Sequence, residues 1–142
     1  IQKVRQNYDF ILIDCPPSLG LLSVMSLVAS THVLIPIKAC DKALEGAEDL
    51  GETLEQVLTR VNRRLRIAGA IPMMFDKRKV IHRTTYEEIK NSFKKYEVHP
   101  PITESTEFEK SWRARIPLAK LVPNHPAVQS LAAIAAYLEQ CN

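Results

Sequence analysis

Phe10, Ile11, Leu12 and Ile13 form an unbroken apolar run that stops on Asp14, with Pro16 and Pro17 close behind. A run of this length with β-branched members reads as a strand buried on both faces, the kind found inside a parallel sheet. The prolines end it, because neither can donate to a ladder. A carboxylate is thereby placed at the carboxyl end of a strand, which is where open α/β sheets bind their ligands. Taken alone, the same aspartate also reads as a turn former ahead of Pro-Pro.

Further along, strand and helix patterns alternate. Residues 19–29 are apolar nearly all round and predict a buried helix, and "HVLIPI" (residues 32–37) predicts a second strand. Ala47, Leu50, Leu54, Val57, Leu58, Val61 and Leu65 recur at helical spacing between charged residues, an amphipathic pattern. "IAGAIPMMF" (residues 67–75) predicts a third strand, with Pro72 where no ladder donor is needed. Thr84 with Glu87, or Thr85 with Glu88, has capping-box spacing, and Tyr86, Ile89, Phe93 and Tyr96 share a helical face. Pro100 and Pro101 lead into a short segment read as a last strand, and residues 103–116 read as polar and irregular. A final helix begins at Pro126, capped by Asn124 or His125, with Val128, Leu131, Ala135 and Leu138 facing inward. This alternation predicts an α/β fold with a mostly parallel sheet, and 142 residues suit one domain.

Composition narrows the function classes. Cys15, Cys40 and Cys141 are far apart and show no C-x-x-C spacing, so neither a disulfide framework nor a zinc site is indicated, and a reducing cytosol is the expected setting. The longest apolar stretch is too short to span a membrane. His32, His82, His99 and His125 are scattered and read as surface or cap residues, so no metal site beyond magnesium is expected. The net charge of +3 permits contact with nucleic acid without arguing for it.

The chemistry begins with Asp14. An apolar strand ending in aspartate is the mechanical core of a Walker B element, in which the strand fixes a carboxylate that holds Mg²⁺, directly or through water, beside nucleotide phosphates. The surrounding stretch, "YDFILIDCPPSLGLL" (residues 8–22), resembles the Walker B and switch II segment of the ParA-type partition ATPases, in the ParA/MinD branch of the P-loop proteins. "VLIPIKACDKALEG" (residues 33–46) is similar to that family's next strand and helix start. "MMFDKR" (residues 73–78) is similar to its later strand-end segment, while Arg115, Ile116, Pro117 and Pro123 fall in looser counterparts.

The resemblance implies a P-loop NTPase-like, mostly parallel sheet flanked by helices, incomplete because the N-terminal strands are missing. Residues 1–142 would be a single partial domain, the C-terminal portion of a ParA-like ATPase. Asp14 would be the catalytic, magnesium-linked acid, Cys15, Pro16 and Pro17 part of a switch loop sensing the γ-phosphate, and Asp76 and Arg78 neighbours of the nucleotide base. ATP and Mg²⁺ are the implied cofactors. The glycines are Gly20, Gly46, Gly51 and Gly69, and none precedes a Lys-Ser or Lys-Thr pair, so the chain has no Walker A loop. ATP hydrolysis is therefore expected of an intact parent, while the chain by itself is expected to be inactive and poorly folded. Unpaired strand edges cost about 1–3 kcal/mol per buried group.

The family resemblance also implies an ATP-dependent homodimer, a ParB-like stimulatory partner and non-specific DNA binding, in the cytoplasm and at the nucleoid, with no membrane role. Candidate phosphate contacts are Arg63 and Arg64, in a cluster with Arg60 and Arg66, and Lys77, Lys79 and Arg83, beside Arg78 and His82. Basic residues at a helix C-terminus also complement the macrodipole, which explains the first cluster without DNA. Glu104 and Glu107 stand where the family commonly has arginine, two charge reversals that weaken the DNA reading. Trp112 with Arg113 and Arg115 offers a substitute patch, although Trp112 reads more readily as a packed loop aromatic. Two rival readings remain: a truncated or degenerate non-catalytic α/β binding module, and a ParA-like ATPase that positions a different cargo. A phospho-receiver ranks last, because residues 1–7 contain no acid to complete its site.

Overall fold

A computed structural model describes residues 3–16, 20–40 and 45–141, with the backbone alone for 45–49. The order of elements is a short 3-10 helix (Arg5–Asn7), α1 (Leu21–Ala29), β1 (His32–Lys38), α2 (Glu45–Gln56), a π-helical stretch (Val57–Val61), β2 (Arg66–Met73), α3 (Val80–Ser92), α4 (Glu107–Ala114), α5 (Leu118–Leu121) and α6 (Pro126–Gln140). The chain divides into two compact units, Ile1–Val33 with Gly46–Arg66, and Leu34–Glu45 with Ile67–Asn142.

β1 and β2 pair in parallel: Arg66 N–H donates to Thr31 O at one end and Ala39 N–H to Met73 O at the other, both at 2.9 Å. β1 alternates, with Ile35 and Ile37 buried and Pro36 and Lys38 exposed. β2 is buried continuously from Ala68 to Pro72, as a strand covered on both faces must be. Its other edge meets residues 97–104 through two parallel bridges in one register, Ala70 with Val98 and Phe75 with Thr103. Between the bridges Pro72 lies opposite Pro100 and Pro101. None of the three can donate, so the expected last strand is broken into bridges, although Pro72 O still accepts from Ile102 N–H at 2.8 Å.

The core of the second unit is built from Ile71, Ile102, Leu118, Ala127 and Ile134, with Leu34, Met73, Val122, Val128 and Leu138 packed against it. Beside it, His99 is buried. Its Nε2 donates to Ala68 O at 3.0 Å, and its ring meets Tyr137 edge-on at 4.9 Å. Gly69 makes this approach possible. Its φ of +133° suits glycine, and a Cβ there would lie 2.5 Å from Glu97 O and 2.8 Å from His99 Nε2.

In the first unit Asn62 ties down the end of α1. Its side-chain amide donates to Leu27 O, Val28 O and Ser30 O at 2.8–3.2 Å, and its carbonyl accepts from Arg64 N–H. These contacts satisfy carbonyls that α1 leaves open at its C-terminus.

Several expectations are corrected. α1 is not a buried helix: only Ser23 and Leu27 are buried, while Leu21, Leu22, Met25 and Val28 are exposed. The capping box at Thr84 and Thr85 is not formed. α3 begins four residues earlier, placing both threonines inside it, where their hydroxyls donate to Val80 O and Cys40 O. Tyr96 lies beyond α3 and is exposed. Residues 107–114 are helical rather than irregular, because Ser105 Oγ accepts from Glu107 N–H and Glu107 pairs with Lys110 one turn on. α6 starts at Pro126 as expected, with His125 Nδ1 accepting from Ala127 N–H. Val128 and Leu138 pack against the core as expected beside the buried Ala127 and Ile134, whereas Leu131 and Ala135 are exposed.

Candidate functional site

Asp14, Cys15 and Pro16 belong to the first unit and are all exposed. The strand expected over residues 10–13 is not formed. Phe10, Ile11 and Ile13 are exposed and Leu12 is 84% exposed. A strand exists only where a neighbour supplies ladder bonds, and none of the described residues supplies them here. The segment therefore presents its aspartate to solvent rather than from a buried sheet end. Pro17, the remaining switch-loop candidate, lies outside the described residues.

The second unit holds the candidate base-side turn, following β2. Met74 has φ +55°, which swings the chain out of the strand. Asp76 then organises the turn. Its Oδ1 accepts from Arg78 N–H at 2.9 Å, and the Arg78 guanidinium forks onto both carboxylate oxygens at 2.9–3.3 Å. These hydrogen bonds, reinforced by the guanidinium charge, hold the Asp76 carboxyl well below the usual carboxylate range and push Arg78 up. The Asp76 N–H donates to His82 Nδ1 at 2.9 Å, and His82 is buried in the first turn of α3 beside Phe75. His82 and His99 are thus core histidines with defined partners, not the surface or cap residues that the sequence suggested.

The candidate DNA contacts of this turn are drawn together, but they are not equivalent. Lys79 pairs with Glu104 at 3.3 Å, one of the two charge reversals. Arg83 donates to Lys77 O at 2.8 Å and so helps close the turn. Lys77 is exposed and has no ion pair among the described residues. Glu107, the other reversal, is engaged by Lys110. In the first unit, Arg63 Nε donates to Thr59 O, a helix-end contact, and both Arg63 and Arg64 are exposed. Trp112 is not a packed aromatic: it is 82% exposed on α4.

Two structural participants escaped the sequence reading. Asn62 carried no motif, and its role depends on partners more than thirty residues away. Gly69 did carry a signal, because an isolated glycine inside a strand pattern marks close approach of another group.

Among the described residues no helix is long and apolar enough to cross a membrane. A family model described as an AAA domain matches residues 1–67. The chromosome partitioning protein ParA of Myxococcus xanthus is 41% identical over 95 residues, covering 67% of this chain and 34% of that protein. The chain spans about a third of the length of such curated relatives. Two solved structures share the fold at lower identity. Apo McdA of Cyanothece superposes with a TM-score of 0.84 at 20% identity, covering 96% of this chain and 56% of that one. The septum site-determining protein MinD of Pyrococcus horikoshii, complexed with Mg-ADP, gives 0.75 at 19%, covering 99% and 54%. The parallel sheet flanked by helices is accordingly an α/β fold of the P-loop NTPase type, and the chain belongs to the ParA/MinD-type family of P-loop ATPases.

Proposed function

We propose that this chain is part of a ParA-type ATPase domain that couples ATP-dependent dimerisation to non-specific DNA binding in DNA partitioning. The observation that carries the reading is Asp14, an exposed carboxylate closing an apolar run in a chain of this family. Its chemistry suits magnesium, which takes one or two carboxylates and fills its remaining positions with water and phosphate oxygens.

Bound Mg-ATP supplies the transferable phosphoryl group. Asp14 would hold the magnesium of the bound nucleotide, directly or through water, and Cys15, Pro16 and Pro17, which follow it in sequence, would form the loop that responds to the γ-phosphate. Asp76 orders the later turn and presents the Arg78 guanidinium, 86% exposed, as a flat surface on which a base can stack. Lys77, Arg83, Arg63 and Arg64 contribute phosphate contacts, with Lys79 weakened by Glu104. A homodimer and a ParB-like stimulator complete the reading, in the cytoplasm at the nucleoid. The ion pairs at Glu104 and Glu107 favour a second version, in which the same ATPase positions a cargo other than DNA.

Mobility-shift assays of the full-length protein with ATP, across a salt series, separate the two. DNA binding that weakens steeply with salt, with Lys77→Ala lowering affinity and flattening the salt dependence more than Lys79→Ala does, supports partitioning on DNA. ATP hydrolysis without salt-sensitive DNA binding supports the other cargo. Absence of Mg²⁺-dependent hydrolysis overturns the ATPase reading itself.

A further inference from the structure

α4 is amphipathic, yet none of its residues is buried. Phe108 and Trp112 are one turn apart and share a face, and both are exposed. Trp112 and Arg113 line two grooves, one continuing along Ser111, Arg115, Ile116 and Pro117 and the other reaching Phe108 and, at its far end, Glu109. The backbone beneath is fixed. Arg115 adopts the left-handed conformation that ends α4, its N–H donates to Trp112 O at 3.1 Å, and Ser111 and Ile116 exchange hydrogen bonds at 3.1 and 2.6 Å. A site ordered in advance loses less freedom when it is filled.

The charges choose the occupant. Arg113 and Arg115 have no ion pair among the described residues, whereas Lys110 is engaged by Glu107. The grooves therefore attract carboxylates beside Trp112 at one end and disfavour them at the other, where Glu109 lies. A nucleic-acid strand or an anionic bilayer presents negative charge on every side and meets Glu109 unfavourably. A bilayer also meets protrusions, not concave grooves. A peptide can place carboxylates over the arginines, an apolar side chain against Trp112, and a neutral or basic residue opposite Glu109.

We infer that the Trp112 face of α4 is a docking surface for a segment of a partner protein, an extended peptide with an apolar or aromatic residue flanked by carboxylates. Exposed tryptophan and arginine around a groove are the residue types that dominate such contacts. The surface uses none of the residues assigned to nucleotide or to the Lys77 and Arg63 clusters, but Trp112, Arg113 and Arg115 are also the substitute DNA patch of the sequence, so binding of oligothymidine through Trp112 decides between the two.

The test is fluorescence anisotropy of labelled probes with the full-length protein. The probes are a short peptide of alternating glutamate and leucine, its lysine-leucine counterpart, and single-stranded oligothymidine, with phosphatidylglycerol vesicles assayed by co-sedimentation. The glutamate peptide should bind, and the lysine peptide should not. Trp112→Ala, Arg113→Gln and Arg115→Asn should each weaken binding on the order of tenfold. Asparagine is chosen at Arg115 because it tolerates left-handed backbone. Glu109→Gln should leave binding equal or tighter. The inference is overturned if the glutamate peptide fails to bind, if both peptides bind alike, if the Trp112 and arginine variants bind normally, or if oligothymidine or vesicles bind more tightly through Trp112.

Discussion

Leu12 and Ile71 both sit in short apolar runs, yet Leu12 is 84% exposed and Ile71 is 9% exposed. The difference lies in what flanks each backbone. β2 has β1 on one edge and the bridged residues 97–104 on the other, with helix side chains closing over it. Residues 10–13 have no ladder partner among the described residues. An apolar run is an offer to form a strand, and neighbours decide whether the backbone groups can leave water. The same contrast runs through the helices. α6 seals a core with Ala127 and Ile134, while α1 leaves Leu21, Leu22 and Met25 in solvent.

Substitutions should expose this contrast in urea unfolding of the full-length protein, in descending order of effect. Gly69→Ala forces a Cβ against Glu97 O in a backbone conformation that resists side chains, and should cost about 4 kcal/mol. Ile89→Ala, at a fully buried position, should cost about 3 kcal/mol. Asn62→Ala strips three carbonyl contacts from the end of α1 and should cost about 2 kcal/mol. Leu12→Ala should cost within about 0.5 kcal/mol where residues 10–13 stay unpaired, and a loss of the Ile89 size in the full-length protein would show that chain outside the described residues supplies their ladder.

The smallest effect concerns pH. Arg78 lowers the Asp76 pKa in the folded chain, so the pair's contribution is present above the unfolded carboxylate value and is lost as pH falls through the folded one. The stability difference between wild type and Asp76→Asn should shrink on acidification from neutral pH to below about 4, as read from urea midpoints. A constant difference would remove Asp76 from its ordering role.

Local patterns were legible wherever one element decided the outcome. β1 and β2 follow from their apolar runs, and α6 starts at Pro126 with His125 as its cap. Elements that depend on distant partners were not legible. α3 starts after Lys79 without a side-chain cap, so no local signal marked it. The burial of His99 needs Gly69, thirty positions earlier, to have no side chain. α4 did carry a signal in the Phe108–Trp112 spacing, hidden by its polar surroundings. At the candidate site the pairing of Asp76 with Arg78 could be suspected from their spacing, but the contact from the Asp76 N–H to His82 could not.

Asp14 offers the most direct test, because Asp9 provides a matched control with the same charge in the same exposed segment. Mg²⁺-dependent ATP hydrolysis should be measured for the full-length protein and for Asp14→Ala and Asp9→Ala. A magnesium-linked role predicts a loss of about 10- to 100-fold or more in Asp14→Ala, with Asp9→Ala near wild type. Near-normal turnover in Asp14→Ala, or equal losses in both variants, would contradict it.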